Sequence, residues 1–133
     1  MFKPDVCYLI TGGLGGFGLA TARWMAENGA RHLALVGRSG AATEEAQAGV
    51  RKLEALGVEV QACKGDISDR AQVAELLETV SRQGPPLRGI IHAAMVLSDG
   101  LVQNMDREQW DRVLKPKVAG AWHLHDLTRQ QDL

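Results

Sequence analysis

Three observations predict that this 133-residue chain folds as a doubly wound α/β domain, a parallel sheet with helices on both faces. Four short apolar runs alternate with amphipathic helical patterns of roughly 10–15 residues. The runs show little in-out alternation, as expected of strands buried on both faces. A glycine-rich turn, Thr11 to Gly18 (TGGLGGFG), joins the first run to the first helix.

Within the first run, Val6 to Ile10, Cys7 to Ile10 is the expected central strand. After the glycines, Phe17, Ala20, Trp24 and Ala26 to Ala30 carry helical spacing, and Asn28-Gly29 supplies the stop. His32 to Val36 is the second strand. Thr43 is placed to cap a helix whose apolar positions Ala46, Val50, Leu53 and Leu56 recur on one face, with Gly57 ending it. Val58 to Cys63 is the third strand.

Asp69 with Gln72 three residues later resembles a capping box, and Val73, Leu76, Leu77 and Val80 form the apolar face of the helix it opens. That helix ends before Gly84-Pro85-Pro86. Leu87 to His92 is the fourth strand. Asp106 and Gln109 suggest a second capping box and a short helix with Trp110, Val113 and Leu114. Pro116 stops that helix or starts another, which runs to about Arg129 with Val118, Trp122 and Leu124 to Leu127 available for packing.

Right-handed crossovers give a Rossmann-type sheet in the order 3-2-1-4, with the ligand crevice between strands one and four. The fourth strand is then an apolar open edge, so the sheet reads as incomplete on its C-terminal side. Residues 1–133 make one domain at most, long enough to bury about two-thirds of the unfolded surface. A hydrophobic content of 45%, a charged content of 23% and a net charge of −1 give no lean towards nucleic acid or anionic membrane. No run approaches the ~18 apolar residues of a membrane span, and MFKPDV lacks the regions of a signal peptide, so the expected location is the cytoplasm. Cys7 and Cys63 stand on separate strands without metal-ligand spacing, which favours buried reduced thiols over a disulfide or a metal site.

Gly13, Gly15 and Gly18 fit G-x-G-x-x-G, which makes a tight turn, admits a pyrophosphate to the backbone and packs helix against strand. Free N–H groups and the positive end of the helix dipole then face the phosphates. An acid about 20 residues past the glycines would mark NAD by bonding the ribose 2′-hydroxyl. Here the second strand ends Leu35-Val36-Gly37-Arg38-Ser39 instead. A guanidinium pairs with a 2′-phosphate, so NADPH is the expected cofactor, with Ser39 adding a hydroxyl. Asp66, followed by Ile67 at the end of strand three, either reaches the adenine amino group or only organises the turn. The small residues Ala93 and Ala94, after His92, permit close approach of the cofactor ribose. His92 itself reads as a hydrogen-bonded, partly buried histidine without a catalytic role.

TGGLGGFG, LVGRSG, GDISD, IIHAAMVLSDG and LKPKVAGAWHLHDLT, in this order, resemble the catalytic half of a polyketide synthase ketoreductase domain. The animal-type fatty acid synthase ketoreductase is similar too. Both are short-chain dehydrogenase/reductases, whose T-G-x-x-x-G-x-G is matched by Thr11, Gly12, Gly16 and Gly18, with Leu14 and Phe17 between. The resemblance implies NADPH-dependent reduction of a β-ketoacyl chain on the phosphopantetheine of an acyl carrier protein, within a synthase of further domains. It places the family's lysine at Lys117, in P-K-V-x-G-A-W. The family's serine and tyrosine are expected after a fifth strand. Tyr8, the only tyrosine, precedes the glycine loop, and Ser98 does not match the family serine.

On this reading the chain is a piece of a multidomain synthase and inactive alone. Leu97-Ser98-Asp99 stands where Leu-Asp-Asp marks the B-type, D-configured alcohol, and leans to that type. Met95 replaces the glycine usual in H-A-A-G. The competing readings are a non-catalytic structural Rossmann half, against which the glycines and Arg38 count, and a reductase of a free small molecule.

Overall fold

A computed structural model describes residues 1–133. The elements run β1 (Cys7–Thr11), α1 (Gly16–Glu27), β2 (His32–Gly37), α2 (Glu44–Ala55), β3 (Glu59–Lys64), α3 (Arg70–Gln83), β4 (Leu87–His92) and α4 (Arg107–Thr128), with one 3-10 turn at Val102–Asn104. The four strands are all parallel and lie in the order β3-β2-β1-β4, as the sequence predicts.

Successive side chains of a strand point to opposite faces, and the two cores follow from this. Leu9, Ala34 and Val36 face α3 and α4, packing on Val73, Leu76, Leu77, Val80 and Leu124. Ile10, Leu33 and Leu35 face α1 and α2, packing on Ala22, Met25, Ala26, Ala46 and Leu53. Each face of the sheet therefore carries two helices.

The caps are set locally. Thr43 Oγ1 accepts the Ala46 N–H at 3.1 Å, and Asp69 accepts from Ala71 and Gln72. The Asp106–Gln109 capping box is complete, with bonds of 2.8 and 3.0 Å. At Asp69 the box is not reciprocal, because the Gln72 amide oxygen accepts the Asp66 N–H at 2.9 Å instead.

Pro116 neither stops nor starts a helix; it lies inside the 22-residue α4. Proline lacks the N–H that would bond the carbonyl four residues back, which disfavours a helix interior. Here the ring is buried against the sheet end, and the carbonyl of Pro116 receives a bond from His92. Tertiary contacts hold the turn that local propensity disfavours.

Of the side chains expected to pack, Trp24, Val118 and Trp122 are instead exposed, at 55%, 63% and 67%. Leu124 is buried. Cys7 is buried and Cys63 partly so, and both are free thiols. Burial pushes the Cys7 thiol up to about 11. No helix is long and apolar enough to cross a membrane.

Candidate functional site

Parallel strands bring all four C-terminal ends to one edge of the sheet. There a cavity of about 290 Å³ is lined by Gly12, Val36 to Arg38, Gly65 to Ser68, Ala94 to Val96, and Arg112, Lys115 and Pro116 of α4. It lies beside the junction of β1 and β4, where the strand order reverses.

The glycine turn closes one end by contacts that only hydrogen permits. A Cβ on Gly18 would stand 2.0 Å from the Gly12 oxygen, and one on Gly13 would stand 2.7 Å from the Ile10 oxygen. Gly12 has φ +69° and packs on Ala93 and Ala94, within 3.0 Å of where its Cβ would be. Around Gly15 there is open space. Gly15 caps α1 without a side chain, no acid stands in the first turn, and the N–H groups of Gly16, Phe17 and Gly18 find no acceptor in the protein. An anion-accepting helix end results. Leu14 is buried under this turn, whereas Phe17 is exposed at its rim.

Arg38 is exposed at the end of β2, lines the cavity and pairs with no carboxylate. Ser39, next to it, is exposed outside the lining. Asp66 lines the cavity while one carboxylate oxygen accepts the Ser68 N–H at 2.9 Å, so it organises the turn and still presents its second oxygen. Ile67 is buried, and its carbonyl meets His123 Nδ1 at 3.1 Å.

His92 is held on both ring nitrogens. Nε2 lies 2.9 Å from the Pro116 carbonyl, which can only accept, so Nε2 carries the hydrogen. Nδ1 then accepts from the Thr11 hydroxyl at 2.7 Å, and Thr11 Oγ1 accepts the Ala94 N–H at 3.2 Å. Burial lowers the His92 pKa below the usual histidine value; the Pro116 carbonyl opposes this and the Lys117 charge assists it. Ala93 donates its N–H to the Thr11 carbonyl at 3.1 Å.

Lys117 is exposed on α4 next to Pro116 and outside the cavity lining. Arg112 and Lys115 line the cavity in its place, a feature the sequence reading missed. Arg112 is paired with Glu108 at 3.1 Å. Their i,i+3 spacing was readable, but that their side of the helix meets the ends of the strands is a tertiary fact that no local pattern carries. Leu97, Ser98 and Asp99 line a second cavity of about 260 Å³ with Trp110 and Leu114. Nowhere do three or more His, Cys, Asp or Glu side chains gather as a metal site.

Comparison with known proteins agrees with this architecture. The family model described as the KR domain matches residues 6–133. A reducing polyketide synthase PKS1 of Cochliobolus heterostrophus is 45% identical over 124 residues, 93% of this chain and 5% of that protein. A highly reducing polyketide synthase of Didymella fabae is 46% identical over 127 residues, 96% of this chain and 7% of that one. Among solved structures, an A-type ketoreductase of a modular polyketide synthase superimposes with TM-score 0.89 at 39% identity, covering 98% of this chain and 28% of its own. An N-terminal ketoreductase from the macrolactin assembly line gives TM-score 0.93 at 32% identity, covering 99% and 27%. The chain thus spans a small part of the relatives it matches. It belongs to the KR family, the ketoreductase domains of polyketide synthases with the short-chain dehydrogenase/reductase fold.

Proposed function

We propose that residues 1–133 are the NADPH-binding part of a cytoplasmic β-ketoacyl reductase, acting on an acyl chain carried by the phosphopantetheine of an acyl carrier protein. The observation that carries the cofactor reading is Arg38, an unpaired guanidinium on the cavity wall at the end of β2. An acid there would accept the 2′-hydroxyl of NAD; a guanidinium attracts the 2′-phosphate of NADP. The turn fits such a cofactor. Its free N–H groups and the open space at Gly15 suit a pyrophosphate, Asp66 and Ile67 border the adenine side, and Ala94 leaves room for the ribose.

When bound, NADPH supplies the hydride that reduces the ketone. Lys117 is the ammonium in this reading. Near a phenol it favours proton donation to the developing alkoxide by stabilising the phenolate left behind. The phenol and its serine partner belong to sequence outside these residues. The 133-residue chain alone is therefore inactive, and NADPH consumption with a β-ketoacyl thioester would overturn that. The alcohol configuration is a finer matter. Leu97-Ser98-Asp99 leans to the B-type, while the matched structures include A-type enzymes, so overall likeness does not carry that assignment.

Titration calorimetry with NADPH and NADH tests the cofactor reading. NADPH binds more tightly, and Arg38→Ala removes about 1–3 kcal/mol of that preference. Equal affinity for the two cofactors in the unaltered chain overturns the role of Arg38. Binding of neither favours the structural half.

A further inference from the structure

We propose that His92 is a positioning residue, a neutral imidazole that bridges the Thr11 hydroxyl and the Pro116 carbonyl and so fixes the α4 turn bearing Lys117 against the glycine turn. The inference rests on the reading of Lys117 given above.

The bridge is short and fully assigned. From Ala94 N–H it runs to Thr11 Oγ1, from the Thr11 hydroxyl to His92 Nδ1, and from His92 Nε2–H to the Pro116 carbonyl, over 3.2, 2.7 and 2.9 Å. Thr11 is fully buried and Pro116 is buried. Thr11, on one side of the imidazole, is the residue before Gly12, whose backbone packs on Ala93 and Ala94. Pro116, on the other side, is the residue before Lys117. No other hydrogen bond ties that turn of α4 to the end of β1 or β4, and proline leaves the turn one backbone bond short. A displacement of about 1 Å at a reacting group can lower turnover by about 100-fold. A donor held at Pro116 is therefore a means of setting where the ammonium stands, without touching substrate or cofactor.

Single ring nitrogens can be mimicked separately. In His92→Gln the terminal amide reaches the Nε2 position and still donates to Pro116. In His92→Asn the shorter amide reaches only the Nδ1 position and keeps Thr11 alone. Turnover is measured in the longer ketoreductase polypeptide that carries this chain. There His92→Asn lowers kcat about 10-fold or more while KM for NADPH stays within about 3-fold, and His92→Gln recovers most of kcat. In the 133-residue chain, nitrogen NMR finds Nε2 protonated and Nδ1 unprotonated. The Lys117 and Val118 amide resonances move in His92→Asn and stay in place in His92→Gln.

Equal losses in both variants, changes in KM alone, or the Nδ1–H tautomer overturn the proposal. Lys117→Met separates it from the reading beneath it. If Lys117→Met abolishes turnover while His92→Asn leaves kcat intact, only the positioning role fails. If Lys117→Met leaves turnover intact, the assignment of the ammonium fails, and the positioning role falls with it.

Discussion

At Thr11 and His92 a buried hydroxyl and a half-buried imidazole satisfy each other, and the arrangement works for only one protonation state. A second ring proton would turn Nδ1 into a donor facing Thr11 Oγ1, which already accepts the Ala94 N–H. The hydroxyl hydrogen would then lose its acceptor in a buried place. This agrees with the lowered pKa of His92, whose first cause is burial. In the unfolded chain the same group titrates at about 6.5. Between the two values the unfolded chain binds the extra proton, so stability rises with pH there. The contribution of His92 is complete above the unfolded value and is lost as the pH falls through the interval below it. Asp69 and Asp126 are held below the usual carboxylate range by hydrogen bonds, from Gln72 and Arg70 in turn, so their contributions fade only in stronger acid. Urea midpoints measured from about pH 7.5 down to about pH 5 should fall in the unaltered chain and stay flatter in His92→Gln. An equal slope in both chains would assign the loss to other groups. The participation of His92 in hydrogen bonds was legible from its place at the end of an apolar strand. Its two partners were not, because Pro116 is 24 residues away and meets it only when α4 folds back over the sheet edge.

Among the elements, the strands and the first three helices follow from patterns that need no tertiary information. Thr43, Asp69 and Asp106 cap the helices they were expected to cap, because a side-chain oxygen next to free N–H groups is a short-range matter. Helix α4 departs from its pattern for a long-range reason, the burial of Pro116. The same helix brings Arg112 and Lys115 to the cavity, a placement that depends on how α4 docks over the strand ends and not on the local pattern of residues 107–115. Its N-terminal half hangs on the Asp106–Gln109 box, since most side chains from Arg107 to Lys115 are exposed and little core holds them. Asp106→Ala removes the box and should lower stability by about 1 kcal/mol. The melting midpoint then drops by roughly 2–6 °C. Hydrogen exchange should quicken in the first turns of α4 while Gly120 to Thr128, anchored by Leu124, stays protected. Uniform loss of protection along the helix would mean that the cap does not act locally.

For the molecule as a whole, the open side of β4 decides how the 133-residue chain behaves. Central strands β1 and β2 have neighbours on both sides, whereas β3 and β4 each leave one row of backbone donors and acceptors unpaired. The two edges are not alike. Strand β3 carries Glu59, Gln61 and Lys64, and charge of this kind discourages pairing with another chain. Strand β4 reads LRGIIH and carries one cation, Arg88. Helix α4 also exposes Trp110, Leu114, Val118 and Trp122, spaced four residues apart along one side of the helix. Apolar surface in such a row and an unpaired apolar strand each favour association. Sedimentation of the chain should therefore show mass rising with concentration, towards dimer and beyond. Substituting Val118 and Trp122 by lysine should shift that association to higher concentration while the fold persists by circular dichroism, because both side chains are exposed and outside the core. A monomer at every concentration would mean that neither the edge nor the stripe is adhesive. Association unchanged in the double variant would place the contact on β4 alone.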